Sequence, residues 1–236
     1  MLTAAAVCPH PPLLVPEATG GVTGRGSDEL DRLRAACSAA VSALTEVALD
    51  VIVVVGSAQR TARFPPRAAG TLTGFGVPFT IGAGPPVLPL SLTIGRYLIA
   101  GEQHAGLESA GLQGVTADAP PGECLDLGKT IAALAPSVGI LAMGDGPARR
   151  ARQAPGAPDA EADRYDEHVS AALAAADAST LARLDPSLDA DLFVAGRAAW
   201  QVLAGAAGAS EFAGCLRYCA APFEVSYYAA TWMPCM

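Results

Sequence analysis

The stretch DVIVVVG, residues 50–56, decides the fold class of this chain. Five consecutive β-branched residues stopped by a glycine predict a strand that is covered on both faces, as in a parallel sheet. Apolar residues at helical spacing predict an amphipathic helix before it, over residues 27–49, and residues 2–7 predict an earlier strand. Strand, helix and strand in this order form one crossover unit.

The rest of the chain continues the alternation of strands and helices. A Pro- and Gly-rich middle over residues 64–89 predicts little beyond a short strand at 78–81. Strands are also predicted over 114–117, 138–143, 216–218 and 225–232, and helices over 90–100, 127–135, 160–176 and 188–204. We therefore expect a single α/β domain over residues 1-236, with a mostly parallel central sheet flanked by helices.

Composition and charge exclude several classes of function. A hydrophobic fraction of 51% supports a buried core, but the longest apolar runs are far shorter than the roughly 20 residues of a membrane span. The net charge is −8, so we expect no nucleic-acid partner. The N-terminus lacks the pattern of a secretory leader. We therefore expect a cytoplasmic protein that does not bind membranes. The basic clusters in the sequence are Arg32/Arg34 and Arg149/Arg150/Arg152, too few to neutralise a nucleic-acid backbone.

Two loops follow predicted strands at the sheet edge where α/β proteins bind ligands. The first is CPHPP, residues 8–12, in which three prolines restrict the backbone around His10. His10 is either a functional imidazole or the polar plug of a rigid loop. The second loop is GSAQR, residues 56–60. His104 and His168 are predicted to be surface histidines.

The sequence lacks a phosphate-binding GxxxxGK[ST] loop and a GxSxG nucleophile elbow. Its six cysteines are scattered, and in a cytosolic protein most are expected to be reduced and buried. Cys215 and Cys219 have the spacing of half a zinc site, but no second pair of ligands follows them.

Five segments carry a resemblance to a known family. In order and spacing, the chain resembles the class III extradiol ring-cleavage dioxygenases, specifically the subunit-B-like proteins, whose superfamily includes the Memo-type proteins. The similarity covers nearly the whole chain. Its segments are CPHPPLLVPE at 8–17, VVVGSAQ at 53–59, LDLG at 125–128, MGDGPARR at 143–150 and APFEVSYYAATW at 221–232.

The resemblance implies a ferrous iron held by two histidines and a carboxylate. His10 matches the first histidine, but Gln59 of Ser57-Ala58-Gln59 stands where the family has the second. Two further family histidines correspond to Leu127 and Ala148, and Cys219 lies where the family's carboxylate ligand precedes the closing turn. One iron ligand of three is retained, so we expect a degenerate iron site.

Two hypotheses follow from this comparison. In the first, the protein has lost iron chemistry and binds a small-molecule ligand or a protein partner in or near the old cleft, lined by His10, Ser57, Gln59, Asp145 and Cys219. In the second, it is a metal-dependent enzyme, and His10 with Cys219 or Glu224 binds Fe(II) or Zn. Asp145 is then a candidate catalytic residue, although an Asp between two glycines also suits a turn. The resemblance further implies a homodimer.

Overall fold

One central sheet of seven strands organises the fold. The structure is a computed structural model that describes residues 1–20, 25–101, 111–149 and 159–235. Its strands are β1 (Leu2–Cys8), β2 (Val51–Ala58), β3 (Ala62–Phe64), β4 (Gly70–Thr71), β5 (Thr80–Ile81), β6 (Gly111–Thr116), β7 (Val138–Met143), β8 (Phe212–Ala220) and β9 (Tyr227–Pro234). The order across the sheet is β3-β6-β2-β7-β1-β9-β8, and β4 pairs with β5 separately.

The middle of the sheet is parallel and its margins are antiparallel. β6, β2, β7 and β1 run in one direction, whereas β3, β9 and β8 pair antiparallel with their neighbours. This arrangement confirms the predicted α/β fold with a mostly parallel central sheet.

Helices cover both faces of the sheet. They are α1 (Arg25–Thr45), α2 (Leu90–Ala100), α3 (Pro121–Ala132), α4 (Ala160–Ala175), α5 (Ala178–Ala182), α6 (Pro186–Leu192) and α7 (Arg197–Ala207). The apolar residues of α1 and α2 belong to one buried cluster, and those of α3 to α7 belong to a second cluster on the opposite face. Alternate residues of β1 enter the two clusters, Ala4 and Ala6 on one face and Ala5 and Val7 on the other. This is the side-chain alternation that a strand covered on both faces requires.

Most predicted elements are present with shifted ends. The helix over 90–100 and the strand over 138–143 have the predicted bounds, and β2 continues past Gly56 to Ala58. The single helix predicted over 188–204 is wrong. The chain turns at Phe193, which adopts a left-handed φ of 56°, and α6 and α7 are separate helices.

The predicted side-chain positions can be compared with the observed ones. His168 is exposed on α4, as predicted, and His104 lies outside the described residues. Of the cysteines, Cys8, Cys37 and Cys124 are buried, but Cys215, Cys219 and Cys235 are exposed. None of the helices in the described ranges has the length and apolar character needed to cross a membrane.

Candidate functional site

The carboxyl ends of β1 and β7 mark the point in the sheet where a ligand crevice is expected. These neighbouring strands are parallel, but the helices that follow them along the chain cover opposite faces, α1 after β1 and α4 after β7. In open α/β sheets this change of direction leaves a crevice outside the strand ends. The amide of Gly144 donates to the carbonyl of Cys8 at 2.9 Å and ties the two loops together.

His10 and Asp145 meet at this point. The backbone N–H of His10 donates to Asp145 Oδ1 at 2.7 Å, and His10 Nδ1 lies 3.5 Å from the same oxygen. The imidazole is 7% exposed and the carboxylate 16%. His10 Nδ1 is buried and has no hydrogen-bond partner among the described residues. The arrangement therefore fixes the histidine backbone firmly and leaves a ring nitrogen beside a carboxylate.

Three backbone hydrogen bonds, two with Ser226 and one with Ala195, hold the loop that carries Asp145. Gly146 donates to the carbonyl of Ser226 at 2.8 Å, and Ser226 donates to the carbonyl of Pro147 at 3.0 Å. The carbonyl of Asp145 accepts from Ala195 at 3.1 Å. A Cβ on Gly146 would lie 2.6 Å from the hydroxyl of Tyr228, which explains why the turn needs glycine there.

A second carboxylate lies on the α4 side of this loop. Asp166 accepts hydrogen bonds from Ser226 Oγ, at 2.7 Å, and from the hydroxyl of Tyr228. The adjacent Tyr227 belongs to the cluster on the opposite face of the sheet. Burial raises the pKa of Tyr227 above its ordinary range, and the negative charge of Asp145 adds to that shift. Tyr227 is therefore a neutral hydroxyl group at physiological pH.

Ser57 and Gln59 lie at the end of β2. Ser57 is half-buried, and its carbonyl accepts from Ser91 Oγ at 2.6 Å. Gln59 is exposed and lines a cleft of about 580 Å³. We call this space the Gln59 cleft. Its lining residues are Ala58, Gln59, Arg60, Phe64, Pro86, Val87, Leu88 and Pro89.

Cys219 and Glu224, the other two candidate metal ligands, lie on β8 and in the turn that follows it. Cys219 is on β8, where partial burial and the charge of Asp166 raise the pKa of its thiol, so it is protonated at neutral pH. Glu224 lies in the turn between β8 and β9 with a left-handed φ of 60°. Among the described residues, no group of three His, Cys, Asp or Glu side chains is arranged to hold a metal ion. At the positions matched to the iron ligands, His10 stands with the amide Gln59 and the thiol Cys219, so these residues do not fit the two-histidine, one-carboxylate iron site that the resemblance implies.

The sequence-predicted cleft residues therefore fall into three groups by the contacts they make. His10 and Asp145 are together, Ser57 and Gln59 are at the end of β2, and Cys219 faces α4. Leu127, expected in the old cleft, is on α3 and packs against the cluster on the α7 face, and Ala148 donates its amide to the carbonyl of Leu192 at 3.0 Å.

Sequence reasoning missed several residues of these surroundings. A hydrogen-bond network of Asp166, Ser226 and Tyr228 joins α4 to β9 and the turn before it. No sequence motif predicts this network. Arg60 and Phe64 were also missed as lining residues. The signal for Arg60 was available, because it ends the loop GSAQR that follows a buried strand.

Comparison with known proteins bears on the fold of the chain. No family model matches the chain, and no curated protein matches it. Among solved structures, the fold is similar to that of the uncharacterized protein JW3007 from Escherichia coli K12. The TM-score is 0.57 at 13% sequence identity, over 97% of this chain and 99% of that chain. At this identity the similarity shows the α/β fold alone.

Proposed function

We propose that the protein binds a small organic molecule in the Gln59 cleft, and that this binding does not use the iron of the extradiol dioxygenases. The observation that carries the proposal is the cleft itself, about 580 Å³ beside the carboxyl end of β2. Ligand sites in proteins commonly enclose roughly 300 to 1,000 Å³ and combine apolar walls with a few polar groups. Phe64, Val87 and Leu88 supply the walls here, and Gln59 and Arg60 the polar groups.

The donor set around His10 supports the metal-free part of the proposal. A ferrous site needs several protein donors around one point, and within the described ranges the Asp145 carboxylate is the one ionisable group recorded beside the His10 imidazole. Gln59, which stands where the resemblance expects the second histidine, is an exposed amide at the cleft. We propose that the chain descends from an extradiol dioxygenase-like ancestor and has kept the fold without the iron site.

Binding is tested by titrating small aromatic and aliphatic fragments into ¹⁵N-labelled protein. We expect amide shifts at Ala58, Gln59, Phe64, Val87 and Leu88, which surround the cleft. The variant Ala58→Trp fills the cleft and should abolish those shifts, whereas Ala213→Trp on the exposed part of β8 should preserve them. Shifts that map to another surface, or that survive in Ala58→Trp, would contradict the proposed site.

The surroundings of His10 also favour a second candidate function, that of an enzyme with a metal ion bound to this histidine. The buried Nδ1 of His10 lies beside Asp145 Oδ1 and is free of hydrogen bonds within the described ranges. Elemental analysis of protein purified without chelators, together with a His10→Ala variant, separates the two candidates. We expect no stoichiometric metal in either protein; iron or zinc lost on substitution of His10 would favour the enzyme.

The resemblance also implies a homodimer, which we retain as a proposal. Sedimentation velocity distinguishes a dimer from the 23.8 kDa monomer. A protein partner in place of a small ligand is the remaining alternative, and fragment binding confined to the Gln59 cleft would argue against it.

A further inference from the structure

We infer that the Gln59 cleft selects organic anions, with the charged group of the ligand on Arg60 and its apolar body against Phe64. This inference rests on the proposed function and adds the chemical class of the ligand. A carboxylate and a phosphate monoester share the required chemistry, an anionic group with oxygen acceptors on a compact apolar body.

The charge of the cleft is opposite to that of the whole chain. The chain has a net charge of −8, yet the only ionisable side chain among the eight lining residues is the guanidinium of Arg60. No lining residue is acidic. An anion entering the cleft therefore meets a local positive charge without a competing carboxylate in the lining.

Arg60 is available for a ligand. Two buried or half-buried arginines are committed to carboxylates, Arg149 to Asp159 and Arg197 to Asp189. Within the described ranges, Arg60 has neither an ion-pair partner nor a side-chain hydrogen bond, and it is exposed at the cleft. A planar guanidinium can bind a carboxylate or a phosphate with two parallel hydrogen bonds.

The backbone that carries Arg60 is anchored at the residues that follow it. The hydroxyl of the next residue, Thr61, accepts the amide N–H of Thr116 at 3.1 Å, and β3 pairs with β6 immediately afterwards. Gly114 on β6 leaves room for this arrangement. A Cβ there would lie 2.7 Å from the Cβ of Ala58 and 2.9 Å from Phe64 Cε2.

The lining segment 86–89 is followed directly by a helix. Pro86, Val87, Leu88 and Pro89 are lining residues, and Pro89 is the N-cap of the 11-residue helix α2. Pro89 makes no side-chain capping hydrogen bond at that end. The positive end of the helix dipole adds to the potential from Arg60, and the apolar wall beside it matches a ligand body. Arg60 remains the group that binds the anion in this proposal.

The experiment compares ligands of matched shape that differ in charge. Benzoate and benzamide are titrated into wild-type protein by NMR at low ionic strength, and phenyl phosphate tests the alternative anionic group. We expect both anions to bind at least about tenfold more tightly than benzamide, a difference of about 1.4 kcal/mol. Stronger binding of benzoate or of phenyl phosphate identifies which anionic group the cleft prefers.

Variants of neighbouring arginines assign the effect to Arg60. We expect Arg60→Ala to remove the preference for anions, so that benzoate, phenyl phosphate and benzamide bind with similar affinity. Arg63→Ala, three residues along and outside the cleft lining, should behave like the wild type. Arg60→Lys should keep part of the preference, because it retains the charge but not the planar fork.

The possible failures are distinguishable. If benzamide and benzoate bind equally in the cleft, or if Arg60→Ala keeps the preference, the assignment to anions is wrong while the proposed binding site stands. If no probe shifts the cleft amides, the proposed function fails as well. A circular dichroism melt of each variant verifies that the substitutions at this exposed position leave the fold intact.

Discussion

At the residue scale, Asp145 acts as an acceptor that fixes the loop of His10. Its Oδ1 receives the backbone N–H of His10 at 2.7 Å, so the carboxylate spans two loops that are 135 positions apart in the chain. The sequence alone also suits an Asx turn at this Gly-Asp-Gly segment. In such a turn the Asp side chain would accept a hydrogen bond from the backbone of its own neighbours instead. The position of His10 therefore depends on a residue from the loop that follows a different strand, β7.

Removal of that acceptor should destabilise the protein. We expect Asp145→Ala to lower the free energy of unfolding by about 1 to 3 kcal/mol, because a largely buried N–H loses its partner. Asp145→Asn keeps an oxygen at the same place and should cost less. Urea unfolding gives both values, and Asp126→Ala, which removes an exposed carboxylate, should stay close to wild type. Equal losses for the Ala and Asn variants would contradict this role.

At the element scale, α3 and α7 approach each other through glycine. A Cβ on Gly128 would meet the carbonyl oxygen of Val202 and would lie 2.6 Å from the amide nitrogen of Ala206. These are backbone atoms, which cannot turn aside as a flexible side chain would. The segment LDLG, read from the sequence as the remnant of an active-site motif, thus has a packing function in this fold.

Two glycines of α3 provide a matched test of that contact. Gly128→Ala should lower the free energy of unfolding by about 1 to 3 kcal/mol, as overpacking does in other cores. Gly122→Ala, in the first turn of the same helix, meets nothing within 4 Å and should raise stability by up to about 1 kcal/mol through helix propensity. Thermal and urea unfolding report both. Similar effects of the two substitutions would show that the helices can move apart.

A buried ion pair between α6 and α7 should make stability depend on pH. Asp189 Oδ2 lies 3.2 Å from Arg197 Nε, and both side chains are at most 4% exposed. Burial raises the pKa of Asp189 to about 6 from 3.8. Between these values the folded protein holds a proton that the unfolded chain releases. The free energy of unfolding should therefore fall by up to about 3 kcal/mol as pH rises from about 4 to above 6.

This dependence is isolated by subtraction. Urea unfolding of wild type and Asp189→Asn at several pH values between 4 and 7 should give curves that converge at low pH and separate as pH rises, the wild type falling more steeply. Asp191→Asn, exposed on the same helix, should run parallel to the wild type. Parallel curves for Asp189→Asn would mean that the carboxyl titrates as it does in water.

The sequence predicted those elements whose own residues determine their structure. It did not predict features that depend on contacts with distant parts of the chain. The β-branched run of β2 and the apolar spacing of α2 carry their own signal, and both elements are present. The break at Phe193 has no such signal, because it depends on the tertiary contact of Asp189 with Arg197 and on the amide of Ala195, which donates to Asp145. Likewise, the sequence identified the loops of His10 and Gln59 as ligand loops. Only the three-dimensional structure shows that His10 lies beside Asp145 and that Gln59 lines the cleft.

At the scale of the whole molecule, the central sheet is shared by two apolar clusters. Each parallel strand sends alternate side chains to opposite faces, so β1 and β7 both contribute to the α1 and α7 sides. Loss of either helical layer would expose one face of every central strand. The two layers should therefore not be stable independently of each other.

We accordingly expect the chain to unfold in one cooperative transition. Trp200 and Trp232 are both buried in the cluster on the α7 face, so their fluorescence reports that layer. A Tyr97→Trp variant in which both native tryptophans are replaced by Phe reports the other layer, where Tyr97 packs against the opposite cluster. Urea transitions of the two proteins, each compared with its own far-UV circular dichroism, should coincide within each protein. A fluorescence transition that precedes the loss of secondary structure in either one would show that its helical layer separates from the sheet first.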